Sequence, residues 1–81
     1  MNSMAGVIRR ENQICELAIR RLMSKCAAFE EKYGWSSDDF YALWQQGEMD
    51  DELDYFEWKA LIEGIGEWRQ TQEELKKIAP T

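Results

Sequence analysis

Apolar residues recur along this chain at helical spacing, and the alternation expected of strands does not appear. In the first third, one heptad series runs Ala5, Asn12, Ile19, Cys26, Tyr33, and a second, three residues on, runs Ile8, Cys15, Leu22, Phe29. This pattern predicts a helix over about residues 5–33, ended by Gly34, because helices commonly stop at a residue in the left-handed backbone region. Asn12 is the polar intruder in the two series, and such a residue fixes register and partner number. Val7, Ile14 and Ala18 flank the seam on one side and Met23 on the other. An apolar arc near half the circumference is more than one neighbouring helix covers. The pattern therefore calls for a second partner, another copy of the chain.

A short second helix is predicted over about residues 37–46. Ser36 stands at its cap position with Asp39 three residues later, a variant of the capping box, and Trp35 and Phe40 occupy the two staple positions. Phe40, Leu43 and Trp44 share one face, and Gly47 closes the helix. A third helix, over about residues 54–78, starts with the same grammar: Asp54 as cap, Glu57 three residues on, Leu53 and Trp58 as the staple. Its stripe is Trp58, Leu61, Ile65, Trp68, Gln72, Leu75 and Ala79. Gly64 and Gly66 each cost this helix about 1 kcal/mol relative to Ala. Gly64 lies beside the stripe, where it permits close helix approach; Gly66 points away, and the pattern supplies no reason for it.

The expected fold is all-α: one domain over residues 1–81, a long antiparallel helical hairpin with a short connecting helix packed across one end. Two copies would bury their remaining apolar faces as a helical bundle, so a homodimer is expected. A length of 81 residues leaves room for a single domain that buries only about two-thirds of its surface, so its stability margin is thin, and small domains often gain core by associating.

Charge refines this picture. The net charge is −6, which disfavours nucleic acid as the main ligand, since phosphate binding needs clustered Lys and Arg. The acidity is local: residues 33–58 hold eight carboxylates and no Lys or Arg, together with eight of the ten aromatic residues. Such a field speeds encounter with a cationic protein surface. Arg9, Arg10, Arg20 and Arg21 are diluted by Glu11, Glu16, Glu30 and Glu31 and read as a solvated face. The chain has no His, which removes the commonest general base and zinc ligand. Cys15 and Cys26 lie about 16 Å apart along one helix, too far for a disulfide between them. They read as buried, reduced thiols of a cytoplasmic protein. No apolar run suits a signal peptide or a membrane span, so no membrane association is expected.

The acidic run offers two chemistries, and both fall short. Asp50, Glu52 and Asp54 have the one-three-five spacing of a calcium loop, but Tyr55 stands where that loop needs Gly and Leu61 where it needs a bidentate Glu. Paired carboxylates for acid–base work need a pocket and a catalytic partner, and the sequence supplies neither His nor a Ser in a nucleophile setting. No catalytic residue, metal or cofactor is therefore expected. Helix starts account for several of the acids through the helix dipole. Asp50, Asp51 and Glu52 precede the third helix and have no such duty. Tyr41 and Phe56 lie off the buried stripes. Exposed aromatics beside unpaired acids have the character of an interface hot spot, so Tyr41, Asp50, Asp51, Glu52 and Phe56 are the candidate partner-binding residues.

From Phe29 to Leu61 the chain reads FEEKYGWSSDDFYALWQQGEMDDELDYFEWKAL. This resembles a group of small acidic prokaryotic proteins, bacterial and archaeal, sharing F-E-x-K-Y-G-x-S-x-x-x-F, then G-E and an acidic loop, then D-Y/F-x-E-W. Members of that group are often antitoxin-like partners of small toxin proteins. The resemblance implies an antitoxin-like module that occludes a basic toxin protein, such as a ribonuclease, and implies no catalytic residue. Where such proteins often place another Gly in the acidic loop, this chain reads Met49-Asp50-Asp51. The alternative is a helical oligomerisation unit with a structural role. A third reading, a Mg²⁺-dependent enzyme built on clustered carboxylates, lacks the paired E-x-x-E or E-x-x-x-D motifs it requires.

Overall fold

The computed structural model describes residues 4–78. Three helices follow in order: α1 (Met4–Tyr33), α2 (Ser37–Gln45) and α3 (Leu53–Ile78). Asn12 meets Gln72 at one level of the hairpin while Tyr33 meets Asp54 at another, so α1 and α3 run antiparallel. The molecule measures 53 × 22 × 17 Å, the dimensions of a helix pair with one end thickened by α2.

The helix ends follow local chemistry. Gly34 adopts φ 75° and its N–H donates to the Glu30 carbonyl at 2.8 Å, ending α1 in the left-handed region that glycine enters freely. Ser36 caps α2, its Oγ accepting from the Asp39 N–H at 3.0 Å. The Ser37 N–H, another donor without an intrahelical partner, donates to Glu30 Oε2 at 2.6 Å. At the far end of α2 the Glu48 N–H reaches the Leu43 carbonyl and the Gly47 N–H reaches that of Trp44, with Gly47 at φ 73°. This is a Schellman closure.

The start of α3 departs from the sequence pattern. The helix begins at Leu53, and the Glu52 carbonyl accepts from the Tyr55 and Phe56 N–H groups at 3.0 and 3.3 Å. Asp54 therefore lies inside the first turn and is not the cap. Its carboxylate turns to α1, where Oδ2 accepts from Lys32 Nζ at 2.6 Å and Tyr33 Oη at 2.5 Å. Leu53 is 85% exposed and staples nothing. Trp35 packs on Tyr33 and Tyr55, with centroids 6.1 Å away in both cases, not on Phe40 as the staple pattern predicts. Starting one residue early also turns Tyr55 inward, three residues before Trp58, and Tyr55 is buried.

The core is concentrated at the α2 end. Cys26, Phe40, Tyr55, Trp58 and Leu61 form one buried cluster, with Phe29, Tyr33, Tyr41 and Trp44 packed against it. Phe40 and Trp58 are fully buried and stack at 4.1 Å, nearly parallel. The Trp58 indole N–H, which would be costly to bury unpaired, donates to Ser37 Oγ at 2.9 Å. Away from that end the seam thins. Cys15 and Ile19 are buried, whereas Ile65, Trp68 and Leu75 of α3 are only partly covered. A Cβ placed on Gly64 would stand 3.3 Å from Leu22 Cδ1, so this glycine lets the two helices approach closely; a Cβ on Gly66 meets open space. The stripe residue Ala79 lies outside the described residues. No helix among them is long and apolar enough to cross a membrane.

Candidate functional site

The aromatic cluster packs the bend, and the chain displays exposed side chains on that frame. Residues 46–52 cross from α2 to α3. The Gly47 turn fixes one end of this crossing, half-buried Met49 anchors its middle against the core, and the Glu52 carbonyl nucleates α3 at the other end. Between these anchors Asp50, Asp51 and Glu52 are exposed. Within the described residues their carboxylates make no hydrogen bond or ion pair, but Glu52 stands at the α3 cap position, where an acid favours the helix start, so it is not without a structural role.

Phe56 is 47% exposed, and its ring meets that of Trp44 edge-to-face at 4.9 Å. It is half committed to packing α2 on α3 and half open. Tyr41 is less available. It is half-buried against the core, and its hydroxyl donates to Glu63 Oε2 at 2.9 Å. Glu63 also pairs with Lys59 at 3.1 Å. Lys59 first, and Tyr41 second, hold the Glu63 carboxyl below its usual range, and the bond to Glu63 raises the Tyr41 phenol. The structure thus brings Asp50, Asp51, Glu52 and Phe56 to one exposed corner and places Tyr41 at the α2–α3 seam.

Leu53 is a member of this corner that the sequence pattern hides. At 85% it is the most exposed large apolar side chain among the described residues. It sits three residues before Phe56 on α3, so the two side chains share the outward face of the first turns. The signal was present as an apolar residue next to three acids, but the same spacing fits a staple equally well.

Two neighbouring groups belong to construction. Lys32 and Tyr33 hold the Asp54 carboxyl below its usual range, and both donors are themselves shifted up by that contact. These groups tie the end of α1 to the start of α3. Burial pushes the Cys26 thiol up, with Glu30 adding to the shift and Ser37 opposing it, so the thiol stays neutral. The shifted carboxylates, Asp54 and Glu63, are held ionised; that suits ion pairing and not proton donation. Among the described residues no three Cys or carboxylate side chains converge into a group that could hold a metal ion.

No family model matches this chain, and no curated protein and no solved structure matches it either.

Proposed function

We propose that this chain is a small helical protein-interaction module that binds a basic partner protein through the corner formed by residues 50–56. One observation carries the reading: three unpartnered carboxylates, Asp50, Asp51 and Glu52, border two exposed apolar side chains, Leu53 and Phe56. Apolar anchors supply most of the affinity in protein interfaces, and the surrounding charge supplies on-rate and choice of partner. The corner offers both on a backbone fixed by the Gly47 turn and the aromatic cluster, so little ordering cost falls on binding. Tyr41 borders this surface.

In its specific form, which the sequence resemblance suggests, the partner is a small basic toxin protein. The module neutralises it by occlusion, its acids taking the place of phosphate charge over a cationic active site. The module works as a dimer, with the corner of each copy free. Co-purification of the tagged full chain from its native host tests the reading. Recovery of a stoichiometric basic protein, lost when Asp50, Asp51 and Glu52 become Asn, Asn and Gln, supports it; recovery of the chain alone counts against it. If the genes flanking its own encode no basic protein that inhibits growth, the antitoxin form fails and the oligomerisation unit remains.

A further inference from the structure

We infer that two copies of this chain pair through the outer flank of α1, antiparallel, with the two-fold axis passing beside Ala18. The inference rests on the dimeric reading above for its occupant, and not on the identity of any basic partner.

The face mixes exposed apolar side chains with charged ones and lies on the thin part of the hairpin. Val7 is 41% and Ile14 47% exposed, and both point to the same side of α1 as half-buried Ala18. Beside them Trp68 of α3 edges a groove of about 450 Å³ that Ala18 and Leu22 line on its apolar side and Arg21, Ser24 and Lys25 on its polar side. The Trp68 indole has neither a ring partner nor a hydrogen bond among the described residues. Beyond Leu61 no residue of α3 is buried, so this half of the molecule is two helices side by side without a third layer. A two-helix layer leaves each apolar stripe covered on one side only.

Charge selects the occupant and its direction. Glu11, Ala18 and Lys25 follow one another at intervals of seven residues on this flank, which places the two charges about 10 Å to either side of Ala18. Glu11 and Lys25 are exposed and form no ion pair within the described chain. A two-fold axis at Ala18 reverses one copy against the other and sets Glu11 of each opposite Lys25 of its mate. Arg21 on the same flank supplies a second cation near the mate's Glu11. A parallel pair would instead oppose Glu11 with Glu11 and Lys25 with Lys25, which is unfavourable. The small Ala18 side chain at the crossing allows the two α1 helices to approach closely. The same axis turns Trp68 of each copy toward the other's groove, so the four helices enclose one shared core.

Sedimentation equilibrium of the full chain should give twice the 9.6 kDa chain mass. Ala18→Glu places two carboxylates on the axis and should return the monomer with its helical circular dichroism retained. Glu11→Lys should weaken the dimer by about tenfold, since each pair occurs twice in a symmetric interface, and adding Lys25→Glu should restore it. A short thiol cross-linker should join a Glu11→Cys chain to a Lys25→Cys chain and should not join two Glu11→Cys chains; buried Cys15 and Cys26 do not compete. A dimer indifferent to Ala18→Glu overturns this face while leaving the dimeric reading standing. Cross-linking between two Glu11→Cys chains overturns the antiparallel arrangement. A monomer across the concentration series overturns both the inference and the dimeric reading.

Discussion

Asn12 and Gln72, separated by 60 positions in sequence, meet across the hairpin, the Gln72 amide donating to Asn12 Oδ1 at 3.2 Å. Each is half-buried and each is the polar member of its helix's heptad series. A slip of one heptad would set Asn12 against Ile65 and leave its amide without this partner, at a cost comparable to a lost hydrogen bond. Register between α1 and α3 is therefore specified within a single chain.

Replacing either member alone should destabilise the protein by about 1 kcal/mol, because the survivor keeps its desolvation without its partner. Replacing both with Leu should be close to neutral or stabilising, giving a coupling of about 0.5–1.5 kcal/mol in a double-mutant cycle by urea denaturation. Strictly additive single effects would show that the contact carries no register information.

Asp54 shows how far the sequence could be read. The same residue pattern that capped α2 correctly at Ser36 misplaced the start of α3. A carboxylate at a helix start fits an N-cap, but it serves equally well as an acceptor for a neighbouring helix. The choice depends on Lys32 and Tyr33, which sit 22 and 21 positions away and arrive only through the tertiary fold. Two further differences go with that displacement: Tyr55 lies in the core, and Leu53, which the pattern places as a staple, is exposed. The Glu30 bond to the Ser37 N–H is shorter in reach, seven positions, and joins the end of α1 to the start of α2. Patterns set by the chain's own periodicity, such as the α1 seam, Gly34 and Gly47, were legible because their physics is local.

The clamp at Asp54 makes stability depend on pH at both extremes. Its carboxyl is shifted down, so its contribution is complete above the unfolded value of about 4 and is lost as pH falls through the lower folded value. The Tyr33 and Lys32 groups are shifted up. Their contribution is complete below about pH 10 and is lost as pH rises through the folded values. Asp54→Asn should flatten both limbs of a plot of thermal midpoint against pH, with the difference from wild type greatest near neutrality. All three groups are solvent-accessible, so high salt should reduce the effect. A variant whose profile parallels that of wild type would sever the shifts from this contact.

Gly66 and Gly64 should respond oppositely to the same substitution. Gly66 lies in the interior of α3 with open space where a Cβ would go, so Gly66→Ala should stabilise by about 0.5–1 kcal/mol through helix propensity and the unfolded chain's entropy. That corresponds to roughly 4–8 °C in thermal midpoint per kcal/mol for a domain of this size. Gly64→Ala gains the same propensity but presses a methyl to 3.3 Å from Leu22 Cδ1. Its net effect should fall at least about 0.5 kcal/mol short of the Gly66 gain. Equal gains at both sites would mean that Leu22 yields without cost and that the close approach at Gly64 is not needed.

The exposed corner permits a clean separation of binding from stability. Asp50, Asp51 and Glu52 have no partner to lose within the described chain, so changing them to Asn, Asn and Gln should leave stability within about 0.5 kcal/mol of wild type. It should nonetheless slow association with a basic partner and flatten the salt dependence of that rate, because long-range attraction resides in these charges. Leu53→Ala probes the apolar half of the same surface. Exposed at 85%, Leu53 contributes little to folding, so its loss should appear as faster dissociation, about tenfold or more if it is an anchor. Phe56→Ala is a less selective probe, since it also removes the ring that meets Trp44 and should cost about 0.5–1.5 kcal/mol of stability. The expected signature is thus divided: the triple acid variant moves the on-rate, Leu53→Ala moves the off-rate, and neither moves the unfolding midpoint. If both variants bind as wild type does, this corner is not the binding surface, and the acids serve only to keep the bend solvated.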